Sequence, residues 1–124
     1  MKVIKSAFVA TLIVWLFTAC NSDNGPFNCT DELVYGLSVT LRDATNNDII
    51  TENVTVIARD GDYEEELMIF PEDDTFFGAG ERPGTYIIEV MSPNYQPYSS
   101  SPIIVNSDQC HVIAEIVEIL LQPN

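Results

Sequence analysis

Basic residues almost vanish from this sequence once its first twenty positions are passed. Arg42, Arg59 and Arg82 are the only cations there, against nineteen acidic side chains, and 3 − 19 leaves a formal charge of −16. A nucleic-acid ligand needs cations to displace the counterions of its phosphates, so that class of partner is excluded. Adhesion to anionic headgroups through a basic patch is excluded on the same ground. The acidity itself favours solubility and keeps neighbouring copies apart. Histidine is reduced to His111, and cysteine to Cys20, Cys29 and Cys110. Setting aside Cys20, which precedes the domain, the two solitary cysteines Cys29 and Cys110 with one histidine do not make a zinc site. No serine or cysteine nucleophile motif accompanies His111, so no catalytic residue is assigned and no cofactor is expected. Its expected role is structural, hydrogen-bonding at an outward or edge position near Cys110.

Acidic residues are missing from the other end of the chain. Residues 1–19 carry Lys2 and Lys5, then an apolar run from Ala7 to Phe17, and no Asp or Glu. A basic start, about a dozen apolar residues and a small-residue cleavage site make a secretory signal; about twenty residues are needed to span a bilayer. Leu16-Phe17-Thr18-Ala19-Cys20 resembles the lipobox of bacterial lipoproteins, with Phe17 bulkier than the usual leucine. The resemblance implies that 1–19 is removed and that Cys20 is lipidated, with palmitate-type acyl chains, so that the membrane is the first partner. The alternative is an ordinary signal peptide cleaved nearby, leaving Cys20 a free thiol. Residues 20–28 read as the lipidated cysteine and a tether, since Asn21-Ser-Asp-Asn-Gly-Pro26 is polar turn chemistry with nothing to bury. Asn21 and Ser22 lack the Asp that follows the cysteine in some sorting rules, which by resemblance points to the outer rather than the inner membrane.

With Cys20 committed to lipid, Cys29 and Cys110 form an even pair in an exported chain, which reads as one disulfide. The alternative is two buried thiols.

Between them the period is two. Leu33, Tyr35, Leu37, Val39 and Leu41 alternate with smaller or polar residues as in a half-buried strand. Asp43–Asp48 is a turn cluster, Ile49–Ile50 a short extended piece, and Val54, Val56 and Ala58 a second alternation. Asp60-Gly61-Asp62 signals a hairpin, with Tyr63–Phe70 as the returning strand. Residues 71–84 read as the longest irregular stretch. Thr85–Met91 is a strand, Ser101–Val105 another extended piece, and Cys110–Leu121 the last strand, its apolar face changing phase through a β-bulge near Glu115–Val117. β-Branched residues argue against a helix there. About seven short strands without a helix make an all-β, antiparallel β-sandwich over residues 29–124.

Val39-Thr-Leu-Arg-Asp43, a polar turn, Ile49–Ile50 and Val54-Thr-Val56 resemble the opening of carboxypeptidase regulatory-like domains. Gly84-Thr-Tyr86-Ile-Ile-Glu-Val90 with Asn94-Tyr95-Gln96 resembles their Gly-x-Tyr strand and the turn after it, with Asn94 in place of glycine. Glu81-Arg-Pro-Gly84 and Cys110-His-Val112 are similar to small bacterial lipoproteins of this type. The resemblance implies a seven-stranded, transthyretin (prealbumin)-like sandwich, used as a non-catalytic accessory or interaction module in the cell envelope. The transthyretin-type hydrolases among the relatives have a Tyr-Arg-Gly-Ser tail and several histidines, which this chain lacks.

Three local features invite a functional reading. Asp60, Asp62 and Glu64 alternate like calcium ligands but lack the rest of an EF-hand loop, so a solvated hairpin tip is the expectation and no metal is assigned. Glu64, Glu65 and Glu66 suit a sheet edge that discourages pairing. Arg82 either pairs with a carboxylate and fixes the loop before Tyr86 or contacts a ligand beside Phe76 and Phe77. With Tyr95 and Tyr98, those aromatics are the candidate contacts for a carbohydrate or peptide, packing in the core being the alternative. A protein or glycan of the envelope is the expected further partner.

Overall fold

The alternation around Leu37, Val39 and Leu41 becomes one long strand in the structure, a computed structural model that describes residues 28–124. The signal segment, Cys20 and the tether up to Phe27 lie outside the described residues. Among the described residues there are ten strands and no helix. They are β1 (Tyr35–Asp43), β2 (Ile49–Ile50), β3 (Thr55–Asp60), β4 (Tyr63–Glu66), β5 (Met68–Ile69), β6 (Phe76–Gly80), β7 (Gly84–Met91), β8 (Tyr98–Ser99), β9 (Ile103–Val105) and β10 (Glu115–Leu121).

The strands form two sheets. One runs β10-β1-β6-β5, with β2 also on β1; the other runs β4-β3-β7-β8, with β9 also on β7. Inward residues of both meet in one core: Leu37, Val39 and Leu41 of β1, Val56 and Ala58 of β3, Phe76 of β6, Tyr86, Ile88 and Val90 of β7, and Ile119 and Leu121 of β10. Burying such side chains stabilises by about 1.5–3 kcal/mol each before conformational entropy is set against it. This is the β-sandwich that the period-two pattern predicts. One pair departs from the antiparallel expectation. β10 lies parallel to β1, with Leu37 opposite Glu115 and Asp43 opposite Leu121. The chain must cross from the other sheet to place its last strand there, which no local pattern encodes.

Three boundaries also differ. The stretch expected to be irregular contains β6, and its Gly78 is a close-packing position rather than a loop signal. Leu67 Cγ lies 2.8 Å from where a Gly78 Cβ would sit, so only glycine fits under it. The returning strand Tyr63–Phe70 is divided between sheets: β4 pairs with β3, and β5 pairs with β6. Buried Leu67 is the corner, its N–H donating to Val56 O at 2.8 Å. Finally, the phase change before β10 is a break, not a bulge. Asp108 Oδ1 accepts the N–H groups of Cys110 and His111 at 2.8 and 2.9 Å, folding that segment into a turn. Ile113 and Ala114 are then exposed, and β10 starts in the opposite phase at Glu115.

Candidate functional site

The disulfide end of the sandwich gathers the scarce chemistry of the chain. Cys29 and Cys110 are bonded, with Cα atoms 5.1 Å apart and a sequence separation of 81. Beside them His111 Nδ1 meets Glu81 Oε1 at 2.6 Å, and its Nε2 meets Thr30 Oγ1 at 3.1 Å. A depression of about 200 Å³ lies alongside, lined by Glu81, Pro83, Asp108 and His111 among others. Hydroxyl, imidazole and carboxylate thus stand in the order of a nucleophile, its base and an orienting acid. The carboxylate, however, ties three segments together. Glu81 Oε1 also accepts the Val34 N–H at 2.9 Å, and Oε2 accepts the Val112 N–H at 3.2 Å. The group acts as a clamp between the chain entering β1, the loop before β7 and the turn holding Cys110. The sequence singles out the Glu81–Gly84 segment but gives no signal that Thr30 or Glu81 meets His111, because those contacts cross 81 and 30 residues.

Charge follows from the geometry. Hydrogen bonding to Glu81 raises the His111 pKa, chiefly by favouring the imidazolium. The Val34 N–H, then His111, lower that of Glu81. A raised imidazole contributes stability that is present below its unfolded pKa and lost as pH rises through the folded one; a depressed carboxylate contributes above its unfolded pKa and loses it as pH falls. The clamp is therefore strongest between the two ordinary values, near about pH 5.5. Compared with His111→Gln, the native chain is expected to gain melting temperature at about pH 5.5 and to lose most of that gain by about pH 8.5. A difference constant across that range in thermal scans would show that the pair is not charged.

Arg82 has a second set of contacts. Its Nη1 donates to Asp60 Oδ2 at 3.0 Å and to the Tyr86 hydroxyl at 2.9 Å, while that hydroxyl donates to Arg82 O at 2.8 Å. The guanidinium carbon stands 3.6 Å from the centroid of the Tyr63 ring. These contacts fix the hairpin tip against the start of β7 and satisfy the polar atom of buried Tyr86. Of the calcium candidates, Asp60 is held by Arg82, Glu64 is paired with Arg59 at 2.6 Å, and Asp62 is exposed at the tip. Among the described residues no group of three or more His, Cys, Asp or Glu could hold a metal ion.

The four aromatics named from the sequence do not converge. Phe76 is buried in the core. Tyr95 donates to Asp43 Oδ2 at 2.9 Å, anchoring the Asn94 turn to the end of β1. Tyr98 is half-buried against the core opposite Val90. Phe77 alone joins an aromatic group, and its companions are Tyr35 and Phe70, with ring centroids 5.5 and 5.9 Å away. This group lies on the outer face of the first sheet. There one ladder row reads Ile116, Ser38, Phe77 and Met68 across β10, β1, β6 and β5. Ile116 is 86% exposed, Met68 52% and Phe70 43%. Tyr35 lies outside this row, opposite Gly80, and its ring reaches Phe77 past Gly36 and Leu37, which are both buried and break the alternation of β1.

Compared with known proteins, the chain matches no protein-family model and no curated protein. The functional reading therefore rests on this geometry.

Proposed function

We propose that the chain is a lipid-anchored, non-catalytic interaction module of the bacterial cell envelope, tethered through Cys20 and meeting a partner protein with the outer face of its first sheet. The observation that carries the reading is the apolar row of that face, in a segment otherwise charged at −16. Exposed apolar residues gathered in one place mark interaction surfaces, whereas scattered ones need no explanation. The tilt of the rings favours a protein over a glycan. Phe77 lies at 38° to both Tyr35 and Phe70, so the three rings offer no flat platform for a sugar. We further read the domain as a seven-stranded, transthyretin-like sandwich of the carboxypeptidase regulatory-like kind. In support, three of the ten strands are only two residues long, leaving seven longer ones.

A photoreactive residue placed at Met68 or Phe70 of the full chain in cells is expected to give a discrete adduct, and one at exposed Thr85 on the other sheet none. Adducts from all three positions, or from none, would remove the assignment of this face.

A further inference from the structure

The two flanks of the sandwich are closed differently. Beside β10 the chain bridges its own edge: the Ile113 N–H donates to Asn106 O at 2.7 Å, and the Gln96 N–H to Gln122 O at 2.8 Å. On the opposite flank β5 ends the first sheet and β4 the second. There the chain crosses between the sheets at Leu67, and Glu65 Oε1 accepts the Ala79 N–H at 2.8 Å. Between that corner and the loop before β3 a groove of about 450 Å³ remains. Buried Leu67 and Phe76 form its floor, half-buried Val54 its wall, and exposed Met68, Phe70 and Glu66 its rim. Phe70 also belongs to the ring group with Phe77, so the groove continues the outer face of the first sheet.

Charge decides what fits there. All three arginines are committed elsewhere, Arg42 to Glu118, Arg59 to Glu64 and Glu89, and Arg82 to Asp60, while His111 faces Glu81. The Glu66 carboxylate joins none of these pairs. The turn that leaves Phe70 adds exposed Glu72 and Asp74, so no cation among the described residues offsets this corner. An apolar floor with an uncompensated carboxylate at its rim favours an apolar side chain accompanied by a cation. A second copy has no uncommitted arginine to offer among the described residues, and two strongly acidic domains repel each other. An acyl chain would fill the floor but leave Glu66 unmatched. We propose that the groove receives a segment of a partner protein that presents one large apolar side chain with a lysine or arginine beside it. The apolar group lies against Leu67, Phe76 and Val54, and the cation meets Glu66. This rests on the interaction-module reading and names the chemistry of the partner and the place where it is anchored.

The full chain, in nanodiscs of neutral phosphatidylcholine, is titrated with an acetylated octapeptide of glycine and serine that carries tryptophan-lysine at its centre. The amide resonances of Val54 and of residues 66–70 are expected to shift saturably. Replacing the peptide's lysine with glutamate should weaken binding at least about fivefold, since an attractive pair at a solvated rim becomes a repulsive one. Glu66→Lys should reverse the order, so that the tryptophan-glutamate peptide binds the tighter of the two. Should that variant fail to fold, the two peptides on the native chain still decide. Equal affinity for both peptides, shifts confined to other residues, or no binding at all would overturn the proposal. So would decyl maltoside binding at the same resonances as tightly as the tryptophan-lysine peptide, since the occupant would then be an acyl chain. A dimer in sedimentation that blocks the peptide would overturn it in favour of a second copy. Continued adducts in cells from Met68 and Phe70 after any of these results would show that the interaction-module reading survives without the groove.

Discussion

Replacing Cys110 with serine is expected to lower the melting temperature under non-reducing conditions by about 10–20 °C. The bond spans 81 residues, from a segment ahead of β1 to the turn ahead of β10. Closing a loop of that length removes about 4 kcal/mol of chain entropy from the unfolded state, and measured losses for native disulfides in small exported domains are about 2–5 kcal/mol. Each kcal/mol shifts the midpoint by about 4–8 °C in a domain of roughly a hundred residues. The loss is at the upper end of single-site effects because Cys29 belongs to neither sheet. Without the bond, the segment carrying Thr30 is held near His111 only by one exposed hydrogen bond. Reductant should bring the native chain to the variant's midpoint. An unchanged midpoint in either experiment would mean that the bond adds nothing to the fold.

The sandwich is legible in the sequence because inward residues repeat every second position along β3, β7 and β1 from Leu37 onward, while Tyr35, in the same series by sequence, lies before a break in the alternation at Gly36–Leu37. The disulfide is legible from cysteine scarcity. β6 is not, since Gly78 and Gly80 carry the loop signal, although Gly78 is in fact required by the close approach of Leu67. The parallel placement of β10 is hidden for a different reason: its amphipathic pattern is the same whichever way it pairs. The candidate site is legible only in pieces. His111 near the disulfide is expected, but Glu81 has a left-handed φ of 49° and reaches His111 only through the folded loop. Arg82 is expected to have either a structural or a ligand-facing role, and its partners Asp60 and Tyr86 are structural ones. Among the aromatics, hydrophobicity does not distinguish buried Phe76 from Phe77 on the outer face, because neighbours on a strand point oppositely.

The second large effect concerns location. Among the described residues no helix is long and apolar enough to cross a membrane. In the proposed module, attachment depends on the lipid at Cys20. One acyl chain holds a protein only marginally, whereas two or three hold it for practical purposes permanently. Cys20→Ser is therefore expected to move the protein from almost wholly membrane-bound to almost wholly outside the membrane-bound processed pool. The remaining cysteines would still form their bond, so the folded domain should be recovered with the same midpoint wherever the signal segment is removed.

Intact mass spectrometry of the protein extracted from membranes, before and after reduction and thiol labelling, tests the anchored module most directly. The expected result is a chain beginning at Cys20 that carries a diacylglyceryl group and an acyl chain, with Cys29 and Cys110 labelled only after reduction. A chain that is cleaved elsewhere, lacks lipid and is recovered free of the membrane would contradict it.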